Sequence, residues 1–589
     1  MIEESLNNIE KESILSRADE MLRGMFRFEG VWDMEPCSVP VLNRKLRWDV
    51  TYNGDPEWTY MFTRMDYLYV LALASAITGK RDYYCLGLKI IGKWKRDNRM
   101  YLKGGALNVL RRRLHKRNSL AYRSLDVAIM ASNIVDYVSY GVAHGLLEPR
   151  KTKGYYHLVR DVTDYVLRNS DYDRKAFMNW GILENGNVVY CLLKTGYDKK
   201  LSEAGSRLIR QVYNQILSDG SQIESSPMYL VEILLILLKV MNTPGCAFRE
   251  ELSRPVRKGC EYIRDIRTLD DCIPAFGDSD RTNISDLMLI AAHILRCEDF
   301  NYYADRLLDP EYCYKYHMER ETLHENIVDE KSEHINFRDQ VVFRSLKDGS
   351  YLLCSNTPRC HDAHKHYDYM SVIYSEFGKD VLIDAGRYSY KNFEHRRILK
   401  GPSRHNTIAI SNDSFYKYIS SFVTKEKIEC LENRVLQGDG WLSVRMQCVL
   451  GYSEVMISRY VTYVYSAGLL VTDVIKNNTS ASYQYETFFN IGQNYTAQKG
   501  EDNICLMDKT GNSLTYRNDM LLPVDIEPIQ YSPKYNELLP SVQLYIRSVG
   551  EKITHSFLRK GMNAEINYSD TAVEYAIPEC RLSITVKLD

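Results

Sequence analysis

No two of the fourteen cysteines in this 589-residue chain are spaced as CxxC, and their intervals follow no regular pattern. That spacing excludes a zinc ribbon, and the cysteines are too dilute for a disulfide scaffold. Reduced, mostly buried thiols are expected. The chain also lacks an excess of either charge: 76 basic against 77 acidic residues leave a net charge of -1. It therefore offers no global attraction to nucleic acid or to an anionic membrane. The longest apolar run, LVEILLILLKV at 230–240, is too short to insert across a bilayer and carries Glu232 and Lys239, so it reads as a buried helix. The first residues, MIEESLNNIEKESILSRADEML, contain neither an apolar h-region nor a small-residue cleavage site. The expected location is cytoplasmic, or periplasmic or secreted if a leader has been removed. Neither a fixed-period repeat nor an HExxH pair is present.

What is there divides into two halves. The length predicts two or three domains, and 45% hydrophobic with 26% charged residues is a globular composition. Up to about residue 330, apolar residues recur three and four apart, as in DYLYVLALASAITG, SLDVAIMASNIVDYVSYGV, GNVVYCLLKTG, LIRQVYNQIL and ISDLMLIAAHIL. These are successive helices, with no period-2 stretch between them, and suggest a helical toroid or solenoid. A polar passage at 320–337 reads as a linker. Beyond it the period becomes two: QVVFRSL, SYLLCSN, YMSVIYSEF, VMISRYVTYVY, GLLVTDVIKN and RLSITVKL read as strands between Gly, Asn, Asp and Ser turns. Many strands without intervening helices predict an antiparallel sandwich. The expected fold is therefore multidomain α+β, with a helical domain at 1–330 and a β-sandwich domain at 331–589.

The stretch from His361 to Asn406 concentrates groups with chemistry. His364 and His366 lie two apart in a segment that reads as a strand, Asp384 ends the apolar strand VLID, and His405 opens HNTIAI. Alternate strand residues share a face, so both imidazoles are expected on one side. Two histidines and an aspartate from neighbouring strands form a plausible ligand set for zinc or another transition metal. The 45 tyrosines, against 16 phenylalanines, suit a wet, sugar-lined cleft as well as an ordinary core.

The motifs resemble those of the heparinase II/III-like polysaccharide lyases, a superfamily of heparin, heparan, alginate and related uronan lyases. In the β half the resemblance rests on HKHYDYMSVIYSEFGKDVLIDAGRYSY followed by RHNTIAI. In the helical half it rests on DPEWTYMFTRMDYL (55–68), YRSLDVAI (122–129), MNWGILENG (178–186), DGSQIESSPMYL (219–230) and PAFGDSD (274–280). It implies an incomplete (α/α) toroid followed by antiparallel β-sheets. It implies that Asn179 neutralises the substrate carboxylate, that Tyr229 and His364 are the catalytic tyrosine and histidine, and that His366, Asp384 and His405 hold a mainly structural zinc. Arg64, Arg123, Glu224 and Tyr390 are the expected substrate-binding residues. The chain departs from the pattern at Met65 and Met130, where relatives often carry His and Arg. That bears on the substrate more than on the reaction.

The implied reaction is β-elimination at a uronic acid. The C5 proton is poorly acidic, and its removal drives negative charge onto the adjacent carboxylate, so a site needs a base, a carboxylate stabiliser and a proton donor for the leaving O4. Asn179 suits the second task, and Tyr229 and His364 the first and third. Each residue also has a plain structural account: satisfied histidines on a solvated strand, a helix cap at Asn179, a core tyrosine at 229. Asp278 and Asp280 in FGDSD look like paired acids, but read as turn chemistry on a loop at the cleft rim. Were they catalytic, with Glu224, an (α/α) glycoside hydrolase would be the alternative; a third reading is a non-catalytic binder of acidic glycans. A zinc-activated hydroxide is the metallohydrolase reading. The basic run RRRLHKR at 111–117 reads as a solvated helix face or a rim that steers an acidic polymer. The partner expected is thus an acidic polysaccharide or oligosaccharide, without nucleic acid or membrane insertion. A homo-oligomer is compatible with the sequence.

Overall fold

The computed structural model describes residues 2–103, 120–169, 172–297, 299–300, 306–320, 333–358, 363–391, 393–411, 416–431, 433–451 and 454–588. The basic run at 111–117 and most of the expected linker lie outside them. The chain forms two compact units: Met1–Ile223, Met228–Arg264 and Thr282–Val328 make the first; Glu224–Pro227, Asp265–Arg281 and Asp329–Asp589 make the second. Two short pieces of the helical half thus belong to the strand-bearing unit. Both lack strand periodicity, so no hydropathy pattern announces where they go.

The first unit is built of helices, among them Glu57–Arg64, Leu68–Thr78, Arg81–Leu102, Ser124–Ala143, Asn179–Thr195, Leu201–Gln215, Pro227–Asn242 and Ser285–Leu295. The run at 230–240 is the centre of one of them, buried at every position but Glu232. No helix among the described residues is long and apolar enough to cross a membrane. The expectation of uninterrupted helices needs one correction: Met25–Phe28 and Cys37–Leu42 pair as an antiparallel hairpin. Its first strand, MFRF, alternates half-buried and buried residues, a period-2 signal only four residues long.

Helix packing here depends on close approach. Tyr84 of Arg81–Leu102 and Tyr137 of Ser124–Ala143 stack with centroids 4.5 Å apart. Each hydroxyl donates to the other's backbone carbonyl, at 3.1 and 2.7 Å. The Tyr84 ring lies directly over Gly141, where a Cβ would stand 1.8 Å from the hydroxyl oxygen. Because both rings are locked by hydrogen bonds, Gly141→Ala cannot be absorbed by a rotamer change. It is expected to destabilise the helical unit by about 1–3 kcal/mol, the usual cost of overpacking, read as a lower denaturation midpoint.

The second unit contains, among its described residues, two nine-stranded antiparallel sheets and a three-stranded one. In the first, spatial order runs Val524–Tyr531, Leu539–Ser548, Tyr485–Ile491, Lys379–Leu382, Ser371–Glu376, Ser350–Ser355, Gln340–Ser345, Glu333–Asn336, with Ile408–Ile410 also on Tyr485–Ile491. The second runs from Ile428–Cys430 through Trp441–Leu450, Val455–Val464, Gly468–Asn477 and Lys552–Arg559 to Tyr495–Lys499. Inner residues of both, such as Phe343, Leu352, Tyr374, Val444, Val461 and Val471, share one core, the signature of a sandwich. The strand Val455–Val464 is buried along almost its whole length. Its other face, through Tyr460 and Val464, packs on Val573, Tyr575 and Ile584 of the small sheet, which explains why apolar residues occupy both of its faces. The helix-to-sandwich order is that expected.

Candidate active site and metal centre

The site in the strand-bearing unit is organised by Asp278, which is fully buried. Gly277 before it has φ +56°, and a Cβ there would come within 2.8 Å of the Ser225 carbonyl and 3.0 Å of the His364 carbonyl. Only glycine fits that turn. The turn brings the Asp278 N–H to donate to the His364 carbonyl at 2.9 Å and aims its carboxylate at three side chains. His364 Nδ1 lies 2.9 Å from Oδ2 and His366 Nε2 2.8 Å from Oδ1. Arg396, on the helix Phe393–Lys400, grips both oxygens, with Nη2 2.7 Å from Oδ2. Burial opposes ionisation of Asp278, but Arg396 and the two imidazole hydrogen bonds more than reverse it and hold the carboxyl well below its usual range.

Asp280 makes the parallel arrangement one turn on. Arg387 donates to it in bidentate fashion at 2.8 and 2.9 Å and donates a third bond to the Tyr390 hydroxyl at 3.1 Å. Tyr390 therefore lies between two guanidinium groups, with Arg387 5.7 Å and Arg396 5.0 Å from its ring centroid, and has the His364 ring at 6.4 Å. FGDSD, expected as turn chemistry on a loop at the cleft rim, is irregular as expected, but it is buried. Its two carboxylates are buried, each paired with an arginine more than a hundred residues away. Local composition cannot show such pairing, although the motif itself was visible. Arg387 and Arg396 were missed as site residues for the same reason.

His364 and His366 do share a side, since both reach one carboxylate, but not because they lie on a strand. Residues 363–370 are irregular and precede the strand Ser371–Glu376. Likewise Asp384 lies two residues past Lys379–Leu382, and His405 caps a short 3-10 turn, Pro402–Arg404, three residues before Ile408–Ile410. Even so, His366, Asp384 and His405 converge: one potential ligand atom from each lies within 4.8 Å of the others. Asp384 Oδ2 is 2.7 Å from His405 Nδ1. His366 Nδ1 and His405 Nε2 are buried and have no hydrogen-bond partner. Two orphaned imidazole nitrogens beside a carboxylate are a costly arrangement for a site that holds nothing. The donor set fits zinc. Burial pushes the His366 pKa down to about 3, against the pull of Asp278, so the imidazole is neutral, the form that ligates.

In the helical unit, Asn179 is the first residue of the helix Asn179–Thr195 and is almost fully buried. The Gln215 side chain donates to the Met178 carbonyl at 2.8 Å and pins this helix start. Tyr229, third in Pro227–Asn242, is 4% exposed. Arg123 lies 3.4 Å over the Tyr60 ring and 5.0 Å from that of Trp180, next to Asn179, while pairing with Asp126. Arg64 is 2% exposed and donates to Glu35 and Asp126, both at 2.9 Å, a buried crosslink. Glu224 is buried in the strand-bearing unit, two residues before Ser226, whose hydroxyl donates to the Asp278 carbonyl at 3.1 Å.

The family model for the heparinase II/III N-terminus matches residues 5–296, and that for the heparinase II/III-like C-terminal region matches residues 335–569. No curated protein shows significant similarity. Among solved structures, heparinase III is 15% identical with a TM-score of 0.73, over 98% of this chain and 91% of that one. The heparan sulfate lyase HepC from Pedobacter heparinus is 15% identical with a TM-score of 0.61, over 100% and 90%. At such identities the likeness speaks for the fold.

Proposed function

The chain belongs to the heparinase II/III-like family, and from that membership we propose that it is a polysaccharide lyase that cleaves a uronic-acid-containing glycan by β-elimination. Asn179 donates to the uronate carboxylate and stabilises the charge that develops there. Tyr229 protonates the leaving O4, and His364 takes part in removing the C5 proton; which of the two is the base follows from the uronic acid epimer. The observation that carries this reading is the His364–Asp278 pair. A buried ionised carboxylate accepts from Nδ1, which leaves the basic lone pair of the neutral ring on Nε2. The glycoside hydrolase reading is weakened by such pairing, because Asp278 and Asp280, two of its three candidate acids, are each held by a bidentate arginine.

Heparan-type glycans head the list of substrates, since solved structures of similar fold are named heparan sulfate lyases. Incubation with heparan sulfate, heparosan, hyaluronan, chondroitin and alginate is expected to raise ultraviolet absorbance on at least one, because elimination leaves a conjugated double bond. New reducing ends without absorbance would indicate hydrolysis instead, and no change on any acidic glycan by folded, zinc-supplemented protein would refute the lyase reading.

We further infer that His366, Asp384 and His405 hold zinc. Bound there, the metal supplies a crosslink between three irregular segments. Chelation is expected to lower the thermal midpoint of the strand-bearing unit and zinc to restore it; a midpoint indifferent to measured metal loss would count against the site.

A further inference from the structure

We propose that Asp278 is the positioning residue that sets complementary tautomers on His364 and His366, coupling the proton-transfer imidazole to the metal-binding one through a single carboxylate. The inference rests on the lyase reading for the role of His364, and on the chain's own atoms for the rest.

An ionised carboxylate only accepts. Both imidazole nitrogens that face Asp278 must therefore carry protons: Nδ1 of His364 at 2.9 Å and Nε2 of His366 at 2.8 Å. Arg396 also comes within 3.3 Å of His366 Nε2, but the carboxylate contact is shorter and charge-assisted, so the proton stays on that nitrogen. The consequence is opposite for the two rings. Neutral His364 keeps its lone pair on Nε2. Neutral His366 keeps its lone pair on Nδ1, the buried nitrogen that has no hydrogen-bond partner, in a residue grouped with Asp384 and His405. A carboxylate behind a ligating histidine fixes ring orientation and raises ligand basicity. Here one carboxylate does so for the ligand and for the base together. Arg396 makes the double acceptance sustainable, because its bidentate contact holds the buried carboxylate ionised. The main-chain bond from Asp278 to the His364 carbonyl fixes the spacing between loop and imidazole.

The test is Asp278→Asn, with Glu376→Gln as a control. Glu376 is a buried carboxylate of the same unit, paired with Arg559 and placed in no role at the site. Asp278→Asn is expected to weaken zinc binding by about 10–100-fold in chelator competition and to lower kcat on the active glycan by about 10²-fold with KM little changed; Glu376→Gln should do neither. Parental zinc affinity in Asp278→Asn, or parental kcat, would overturn the proposal. Because Asp278→Asn also strands Arg396 and could fail to fold, a crystal structure of the zinc-loaded parent gives a second decision. His366 bound through Nδ1 with Nε2 on Asp278 supports the coupling, and His366 bound through Nε2 refutes it. Should no glycan be cleaved by the parent, the lyase reading falls, while zinc affinity and the ligating nitrogen still decide whether Asp278 orders His366.

Discussion

Tyr229→Phe is expected to cut turnover by roughly 10²–10⁴-fold, the usual contribution of a general acid or base, while the protein stays folded. The substitution removes one oxygen from a side chain that is almost wholly buried within a long apolar helix. Its stability cost should be no more than that of one hydrogen bond, about 1 kcal/mol. The loss should appear in kcat on the glycan that the parent cleaves, followed as the rate of absorbance increase, with an unchanged melting profile. If the phenylalanine variant retained half the parental rate, Tyr229 would be a core tyrosine and the proton donor would have to be sought elsewhere.

The largest stability effect should come from Asp473→Ala. Arg459 and Asp473 face each other across the strands Val455–Val464 and Gly468–Asn477, both fully buried, with bonds of 2.7 and 2.9 Å. Arg459 also donates to the carbonyls of Met370 and Asn406 at 3.1 and 2.9 Å. It thereby ties the second sheet to the irregular segments from which His366 and His405 project. Removing Asp473 leaves a guanidinium buried without its counter-charge, which costs about 3–5 kcal/mol. Denaturant unfolding of the strand-bearing unit would show it. The double variant Arg459→Met, Asp473→Leu should recover part of the loss, because the stranded charge is gone. A single variant as stable as the parent would mean that water or another anion reaches Arg459.

The contrast between what hydropathy reveals and what it hides is sharp at this site. Strands such as VMISRYVTYVY and GLLVTDVIKN were legible because β-branched and aromatic residues crowd them between turn residues. His364, His366, Asp384 and His405 were legible as a group from residue type and proximity in sequence, yet none lies in the strand expected for it. Each lies in an irregular segment outside the strands, where loops leave side chains free to converge and no period survives. Asp278 and Asp280 were legible as a motif but not as buried carboxylates. Their environment is made by Arg396 and Arg387, 118 and 107 residues further along. Electrostatic partnership of that kind is a property of the folded chain, and a local window reports only a polar turn. For Arg64 the motif was legible, but its pairing with Glu35 and Asp126 was not.

The allotment of Asp265–Arg281 to the strand-bearing unit has a consequence for how this protein can be cut or recombined. A fragment begun at residue 331 would contain every strand of both large sheets but neither Asp278 nor Asp280. Arg396 and Arg387 would then be buried cations without anions, and His364 and His366 would lose their shared acceptor. The C-terminal portion is therefore not a transplantable module. Natural exchange or laboratory chimeras that swap it must carry the GDSD segment from the same parent, or replace both arginines as well.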